Sequence, residues 1–247
     1  MNENNIELYL GNWKERFKTI PDKSIDLIYT DPPYDIGIFR PGSGGSVNNI
    51  MKLDKTLLPI NQITETKYNL TEFCDEAVRV MKDINIYIWC NKPQIIHYFN
   101  YFVNELGCKY DILFWNKTNA LPTYSNKYLT DCEYLLVFRK GKAALHPECY
   151  EDAKTVFQSP INRENKIYKH PNIKPLELVL RGIKNSSKEG DIVLDPFMGS
   201  GTTGVACKQT GRKFIGCEIN PEFFETAQQR ILGTEYQVTS TKGGLWD

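Results

Sequence analysis

The sequence predicts an α/β protein with a doubly wound, mostly parallel sheet. Short apolar runs of strand length alternate with amphipathic helical segments along most of the chain, which is typical of this fold class. Two of the runs, 25–31 and 191–195, pass into a loop at an aspartate, as expected of buried parallel strands that lead to one edge of a sheet. The 247 residues are enough for one domain, 1–247, with a full core.

The amino-terminal half is predicted to supply three strands and three helices. In chain order they are strand 6–10, helix 13–20, strand 25–31, helix 71–82, strand 84–90 and a helix from Pro93 to about residue 106. Pro93 suits the first turn of its helix because a proline there loses no hydrogen bond. Between the second strand and the second helix, residues 36–69 lack periodicity and include the run Arg40-Pro41-Gly42-Ser43-Gly44-Gly45-Ser46, which predicts a flexible insertion.

The carboxyl-terminal half is predicted to supply four more strands and three helices. Strands 111–115 and 133–138 are followed by a stretch, 139–174, with little periodicity. The remaining predicted elements are helix 175–185, strand 191–195, helix 203–209, strand 213–218 and helix 221–232. Strands that alternate with helices in this way predict helices on both faces of the sheet.

Composition is ordinary for a globular protein, with 41% hydrophobic and 24% charged residues. The seven cysteines are odd in number and form no Cys-x-x-Cys pair, so we expect reduced thiols rather than disulfides or a metal site. The first residues are polar and no apolar run reaches membrane-spanning length. We therefore expect a cytoplasmic protein with no membrane association.

The net charge is zero, but it is unevenly distributed. Residues 109–188 hold 14 Lys and Arg against 8 Asp and Glu, a net charge of +6 that leaves −6 for the rest of the chain. Segregated charge can serve a polyanionic partner even when the total is neutral. Taken alone, the same excess also fits an ordinary solvated face.

A glycine-rich loop follows the strand that ends at Asp195. Its glycines, Gly199 and Gly201, would let backbone amides approach a ligand. Glu218 lies 17 residues beyond Gly201, at the end of the next predicted strand, where an acid can accept both ribose hydroxyls. The unit therefore predicts a site for a nucleoside-bearing ligand. A dinucleotide remains open, since Gly204 completes a Gly-x-Gly-x-x-Gly spacing.

A rigid loop, Asp31-Pro32-Pro33-Tyr34, follows the second predicted strand. Its carboxylate and a proline carbonyl are both acceptors, and the second proline stiffens the backbone that holds them. Two fixed acceptors suit an exocyclic amine with two N–H donors, and Tyr34 offers a face for a stacked base. The loop thus predicts orientation of the amine of adenine or cytosine for attack on an electrophile.

Together these segments resemble the motifs of S-adenosylmethionine-dependent DNA amino-methyltransferases, the adenine N6 and cytosine N4 family. Asp31–Tyr34 resembles the catalytic motif, and Asp195–Thr203 the cofactor loop. His170-Pro171-Asn172-Ile173-Lys174-Pro175 resembles the segment that precedes the cofactor loop in one permuted group. The cofactor loop begins 164 residues after Asp31, and this order is typical of the so-called beta group.

The resemblance implies a Rossmann-like methyltransferase fold with circularly permuted motif order and small inserted recognition loops. It implies direct methyl transfer from S-adenosylmethionine to the N6 amine of adenine in DNA, after base flipping and without a metal. The catalytic residues would be Asp31, Pro32, Pro33 and Tyr34. The cofactor-binding residues would be Asn12, Lys174, Asp195, Phe197, Gly199, Ser200, Gly201, Thr202, Thr203 and Glu218.

Two of these cofactor assignments have alternatives. Asn12 stands where the family has an acid near the cofactor's adenine, and an asparagine can still accept from the adenine amine but brings no charge. Lys174 would pair with the cofactor's carboxylate, or it would be a solvent-exposed lysine leading into a helix.

DNA is the expected partner, and 140–169 is the expected target-recognition region, assisted by 36–69. The short basic region predicts a short target or help from a homodimer partner. The segments 115–117 and 133–141 resemble the strands and loop that enclose the target base. Three other readings remain open: a cytosine N4 methyltransferase, a non-catalytic cofactor- and nucleic-acid-binding protein, and a dinucleotide oxidoreductase.

Overall fold

The structure, a computed structural model, describes residues 5–34, 68–120, 122, 128–161, 168 and 173–233. The predicted insertion 36–69 lies outside these ranges except for its last two residues, and so do positions 162–167 and 169–172 of the predicted recognition region and the segment after it. The strands are β1 Ile6–Leu10, β2 Leu27–Thr30, β3 Asn85–Cys90, β4 Lys109–Lys117, β5 Cys132–Arg139, β6 Val156–Ser159, β7 Ile192–Asp195 and β8 Lys213–Glu218. The helices are α1 Trp13–Thr19, α2 Leu70–Val80, α3 Lys92–Phe99, α4 Leu176–Ser186, α5 Thr202–Gln209 and α6 Pro221–Leu232, with a π-helical turn, Asn100–Glu105, extending α3.

The described strands form one sheet in the order β1-β8-β7-β2-β3-β5-β4-β6. Every neighbouring pair is parallel except β3–β5 and β4–β5, so β5 alone runs in the opposite direction. The predicted doubly wound, mostly parallel sheet is confirmed. Since the chain leaves β2 toward β3 and leaves β7 toward β8, the order reverses between β2 and β7, and ligands bind beside such a reversal in open α/β sheets.

Two apolar cores cover the two faces of the sheet. Helices α1, α2 and α3 contribute to one core and α4, α5 and α6 to the other. Strand β3 shows the alternation that produces them, because Ile86 and Ile88 are buried in the first core while Tyr87 and Trp89 are buried in the second. All six residues of β3 are buried, as expected of a strand covered on both faces.

The sequence-based bounds differ from the structure at several places. Strand β6 lies inside the stretch 139–174, for which no regular element was predicted. This prediction was wrong because β6 has four residues and forms by pairing with β4, a partner that local periodicity does not reveal. Strand β4 is longer than the predicted 111–115, and β2 begins two residues after the predicted start.

Candidate active site

The loop Asp31–Tyr34 follows β2 and is held by the start of α3. Gln94 Nε2 donates to the Pro33 carbonyl at 3.0 Å, and Asn91 Nδ2 donates to the Tyr34 carbonyl at 3.1 Å. The same two side chains form the capping box of α3, which satisfies its first backbone amides. The backbone of the loop is thereby fixed to a rigid helix end, as a positioning loop requires.

The Asp31 carboxylate has a partner on each oxygen. Oδ1 accepts from the Tyr34 hydroxyl at 2.8 Å, and Oδ2 lies 2.8 Å from Lys174 Nζ. Burial raises the pKa of Asp31, while the charge of Lys174 opposes the rise. No donor among the described residues is hydrogen-bonded to the Pro32 carbonyl. The loop therefore presents a carboxylate and a backbone carbonyl as two neighbouring acceptors.

Lys174 is buried beside the Asp31–Tyr34 loop, with 6% of its side chain exposed. Its Nζ lies 2.8 Å from Asp31 Oδ2 and 2.8 Å from Glu133 Oε2. Burial lowers the pKa of Lys174, but Asp31, Tyr34 and Glu133 together raise it well above its ordinary value. The alternative of a solvent-exposed lysine is wrong, because the fold places two carboxylates around this ammonium.

The glycine-rich loop between β7 and α5 wraps Glu218. Gly199 N donates to Glu218 Oε2 at 2.9 Å, and Asn220 N donates to Oε1 at 2.8 Å. Gly199 has a φ of 50°, a left-handed conformation that favours glycine. Since each carboxylate oxygen can accept two hydrogen bonds, the Glu218 carboxylate can accept further donors beside these backbone amides.

Gly201 is required by packing as well as by its backbone. Its φ is 81°, and a Cβ at this position would lie 2.9 Å from Ala227 Cβ and 2.9 Å from Ile231 Cδ1. Helix α6 therefore packs directly on the loop backbone. Gly201 is not among the residues that line the site cavity, so its role here is to let α6 approach.

Asp195 joins the two loops. Its Oδ1 accepts from Thr30 Oγ1 at 2.8 Å and from Phe197 N at 3.1 Å, and its Oδ2 accepts from Thr203 Oγ1 at 2.7 Å. Burial raises the pKa of Asp195 to about 7, although these three donors oppose the rise. A side chain predicted to contact the cofactor thus also ties the end of β2 to the cofactor loop.

One cavity of about 240 Å³ runs between the two loops, beside the β2–β7 reversal. Ten of the predicted site residues line it: Asp31, Pro33, Lys174, Asp195, Phe197, Gly199, Ser200, Thr202, Thr203 and Glu218. Pro32, Tyr34, Gly201 and Asn12 do not line it. Phe197 also packs on Trp13, with ring centroids 6.0 Å apart, which anchors the cofactor loop in the first core.

Asn12 lies at the same sheet edge but serves helix α1. Its Oδ1 accepts from Lys14 N at 2.9 Å and caps the helix. The preceding residue, Gly11, donates its N–H to the Glu218 carbonyl at 2.9 Å. The described geometry therefore places Asn12 next to the end of β8, with its acceptor oxygen used locally.

The residues around the cavity fit a ligand with a nucleoside at one end and an amino acid at the other. Glu218, which lines the cavity, would supply acceptors for ribose hydroxyls. Tyr29 and Trp89 also line the cavity, and Tyr29 Oη and Trp89 Nε1 are buried without a hydrogen-bond partner among the described residues. Buried donors of this kind are costly unless a ligand or water satisfies them.

Several residues of the site were not singled out by the sequence. Asn91 and Gln94 had a readable signal, the spacing of a capping box before a helix. Glu133 and Lys117 lie in the segments 133–141 and 115–117 that resemble the enclosure of the target base, but their pairing was not predicted: they form an ion pair beside Lys174, with Nζ and Oε1 2.5 Å apart. Their position follows from the reversed direction of β5, which brings the start of this strand to the edge where β4 ends, and no local pattern reveals that.

Arg230 of α6 links Tyr168, in the described part of the predicted recognition region, to the glycine-rich loop. The Tyr168 ring lies 4.5 Å from the Arg230 guanidinium, and Arg230 Nη1 donates to the Ser200 carbonyl at 2.6 Å. Within 140–161, three lysines are balanced by three carboxylates. The basic residues that remain in the predicted region, Arg163, Lys166 and Lys169, lie outside the described residues.

Neither a membrane-spanning helix nor a metal-binding cluster is found in the described part of the chain. No helix there is long and apolar enough to cross a bilayer. No group of three or more His, Cys, Asp and Glu side chains there could hold a metal ion.

Comparison with known proteins identifies similar chains over nearly the full length. A family model described as DNA methylase, for N6 and N4 methyltransferases, matches residues 25–229. The type II methyltransferase M2.LlaDCHI of Lactococcus lactis subsp. cremoris is 32% identical over 244 residues, covering 93% of this chain and 90% of that protein. The type II methyltransferase M2.DpnII of Streptococcus pneumoniae is 31% identical, covering 93% of this chain and 91% of that protein.

Solved structures share the fold. The M1.HpyAVI–SAM complex matches with a TM-score of 0.65 and 28% identity, covering 91% of this chain and 99% of that one. The cytosine-N4-specific PvuII DNA methyltransferase matches with a TM-score of 0.71 over 96% of this chain and 89% of that one. Its 18% identity supports a common fold alone.

Proposed function

Because the chain belongs to the DNA methylase family, whose model matches residues 25–229, we propose that it transfers a methyl group to the N6 amine of adenine in DNA. The methyl donor is S-adenosylmethionine, the ligand of the similar M1.HpyAVI structure. When bound, this cofactor supplies a methyl group already activated on a sulfonium, so the chain's residues have to position the reactants rather than activate the donor.

The observation that supports the proposal is the pair of neighbouring acceptors in the Asp31–Tyr34 loop, of which Asp31 lines the cavity. The Asp31 carboxylate lines the cavity, and the Pro32 carbonyl follows in a backbone held by Asn91 and Gln94. These acceptors would take the two N–H donors of an exocyclic amine and aim its lone pair into the cavity. Hydrogen bonds to both N–H groups favour a more pyramidal, more nucleophilic nitrogen.

The cofactor end of the cavity has matching groups. Glu218 would accept from the ribose hydroxyls, and the backbone of Gly199 and Ser200 would lie against the ligand. Lys174 and the Trp89 N–H, which has no hydrogen-bond partner among the described residues, would face the amino-acid end, because both line the cavity next to Asp31. Tyr34 would stack on the target base, which must leave the duplex to reach Asp31.

The choice of adenine rests on the Asp-Pro-Pro-Tyr motif, which resembles that of adenine N6 enzymes. The two acceptors would fit the amine of cytosine equally well, so cytosine N4 is the second candidate. Two further readings are less favoured. A dinucleotide oxidoreductase leaves the acceptor pair without a role, and a non-catalytic binding protein would have no use for it.

The test measures methyl transfer and cofactor binding together. Purified protein is incubated with DNA and S-adenosylmethionine, and the nucleosides are separated by mass spectrometry. We expect N6-methyladenine from the wild type and none from Asp31→Ala, while Asp31→Ala still binds the cofactor in calorimetry. N4-methylcytosine as the product would overturn the choice of base, and normal turnover by Asp31→Ala would overturn the role of Asp31.

Other parts of the proposal concern organisation. We propose a single domain over 1–247, with the insertion 36–69 and the region 140–169 reading the DNA. A homodimer and a cytoplasmic location also remain predictions. The similar proteins named as type II methyltransferases favour a modification enzyme of a restriction–modification pair. Light scattering of the purified protein tests the dimer.

A further inference from the structure

Four charged side chains of alternating sign lead away from the catalytic aspartate. Asp31 Oδ2 lies 2.8 Å from Lys174 Nζ, Lys174 Nζ lies 2.8 Å from Glu133 Oε2, and Glu133 Oε1 lies 2.5 Å from Lys117 Nζ. The exposed fractions of these side chains are 27% for Asp31, 6% for Lys174, 15% for Glu133 and 16% for Lys117. Their four charges sum to zero.

The sheet topology creates this chain of charges. Glu133 is the second residue of β5 and Lys117 the last of β4. Because β5 alone is reversed, its beginning lies at the same edge as the ends of β2, β3 and β4. Aromatic rings close the sides, with Lys174 Nζ 4.9 Å from the Trp89 ring and Lys117 Nζ 5.0 Å from the Trp115 ring.

We propose that Glu133 is a positioning residue that sets the acceptor strength of Asp31 by sharing Lys174 with it. This inference rests on the proposed function, in which Asp31 accepts a hydrogen bond from the target amine. An ammonium that is shared between two carboxylates interacts less strongly with each of them than with one alone. Without Glu133, the charge of Lys174 would act on Asp31 alone, and a carboxylate neutralised in that way is a weaker acceptor for the amine.

Lys117 has the opposite role in the same arrangement. Lys117 neutralises part of the charge of Glu133, and this weakens the attraction between Glu133 and Lys174. Burial raises the pKa of Glu133, but Lys174 and Lys117 outweigh it and hold the pKa below its ordinary value. Glu133 is therefore an ionised carboxylate at neutral pH, as the sharing requires.

Several titratable groups surround Asp31, and two of them, Lys174 and Glu133, shift its pKa in opposite directions. Burial raises the pKa of Asp31, Lys174 lowers it and Glu133 raises it. The titratable and charged groups around Asp31 are Lys174 before α4, Glu133 on β5, Tyr34 in the same loop, Asp195 on β7, Cys90 on β3 and Tyr98 on α3. Removing the charge of Glu133 should lower the pKa of Asp31, and removing the charge of Lys117 should raise it.

Three variants test this prediction. Glu133→Gln keeps the shape and a hydrogen-bond acceptor for Lys174 but removes the charge. Lys117→Gln removes the charge at the far end of the series of four charges that starts at Asp31. Asp111→Asn is the matched control, because Asp111 forms an ion pair with Arg139 at 2.6 Å in the same β4–β5 pair, toward the opposite ends of the strands.

The first measurement does not depend on turnover. The Asp31 carboxyl carbon is titrated by NMR in the wild-type protein and each variant, with Asp31→Asn to assign the signal. We expect a lower pKa in Glu133→Gln, a higher pKa in Lys117→Gln and no change in Asp111→Asn. General disruption of the fold would not move the two pKa values in opposite directions, and an unchanged pKa in Glu133→Gln and Lys117→Gln overturns the proposal.

The second measurement follows methyl transfer. We expect kcat of Glu133→Gln to fall by roughly tenfold or more, with the acid limb of its pH profile moved to lower pH and with unchanged cofactor affinity. Asp111→Asn should keep the wild-type kcat. Wild-type kcat in Glu133→Gln overturns the proposal, whereas absence of transfer by the wild type overturns the proposed function and leaves the NMR titration to decide the inference.

Discussion

Thr30 Oγ1 donates to Asp195 Oδ1 at 2.8 Å, across 165 residues of chain. Thr30 ends β2 just before the Asp31–Tyr34 loop, and Asp195 ends β7 just before the glycine-rich loop. Both side chains are buried, so the bond is shielded from water. It ties the ends of β2 and β7 together at the point where the sheet order reverses, and under the proposed function it would also hold the amine acceptors in place relative to the methyl donor.

Thr30→Val should loosen this relation while keeping the side-chain shape. Loss of one donor to a buried carboxylate is expected to lower the free energy of unfolding by about 1–3 kcal/mol and to weaken cofactor binding. Urea unfolding and calorimetry measure the two effects. Thr226→Val is the control, because its hydroxyl donates to the Glu222 carbonyl on the exposed side of α6. Wild-type stability and affinity in Thr30→Val would contradict the coupling.

Asp195 should make stability depend on pH. Burial raises its pKa from 3.8 to about 7, so the folded protein holds this proton more tightly than the unfolded chain does. The contribution to stability is therefore full below about pH 4 and is lost as the pH rises through about 7.

Asp195→Asn removes that titration. Relative to the wild type, its free energy of unfolding should improve with rising pH, by at most roughly 1.4 kcal/mol per pH unit. Urea unfolding of both proteins across this range measures the difference. A constant difference at every pH would show that Asp195 titrates normally.

Glu218→Gln should weaken cofactor binding. A neutral amide has an acceptor on one side only, so one ribose hydroxyl would meet a donor instead of a carboxylate oxygen. We expect an affinity about 10- to 100-fold lower in calorimetry. The control is Glu222→Gln, a change four residues away on the exposed first turn of α6. This variant should bind the cofactor as tightly as the wild type does.

Gly201→Ala separates packing from backbone strain when it is compared with Gly190→Ala. Both glycines have φ near 80°, but a Cβ at Gly190 would meet nothing within 4 Å, whereas one at Gly201 would lie 2.9 Å from Ala227 Cβ. We expect Gly190→Ala to lower the free energy of unfolding by about 1–2 kcal/mol and Gly201→Ala to lower it by more. Equal losses of unfolding free energy would mean that α6 moves aside at little cost.

Much of the fold could be read from local pattern. The apolar runs that became β2, β3, β7 and β8 are buried on both faces, and such runs remain apolar along their length. The acids and prolines at the ends of these runs could also be recognised, because they interrupt the apolar pattern. Strand β6 could not be read, because four half-exposed residues at a sheet edge carry almost no periodic signal.

Within the site, residue types were predictable and partners were not. The motifs singled out Asp31, Glu218 and the glycine-rich loop, and the cavity brings them together. Lys174 was expected at the cofactor's carboxylate or in solvent, and its Nζ lies between Asp31 and Glu133. Asn12 was expected near the cofactor's adenine, and its Oδ1 caps α1.

The sequence by itself determined the fold class, the two loops and their order, because hydrophobic periodicity and turn chemistry are local properties of the chain. The tertiary structure alone decided which charges meet. Glu133 reaches Lys174 only because β5 runs against its neighbours, and strand direction depends on pairing between distant segments. Electrostatic coupling weakens with distance and strengthens with burial, so the properties of Asp31 follow from that packing and not from its motif alone.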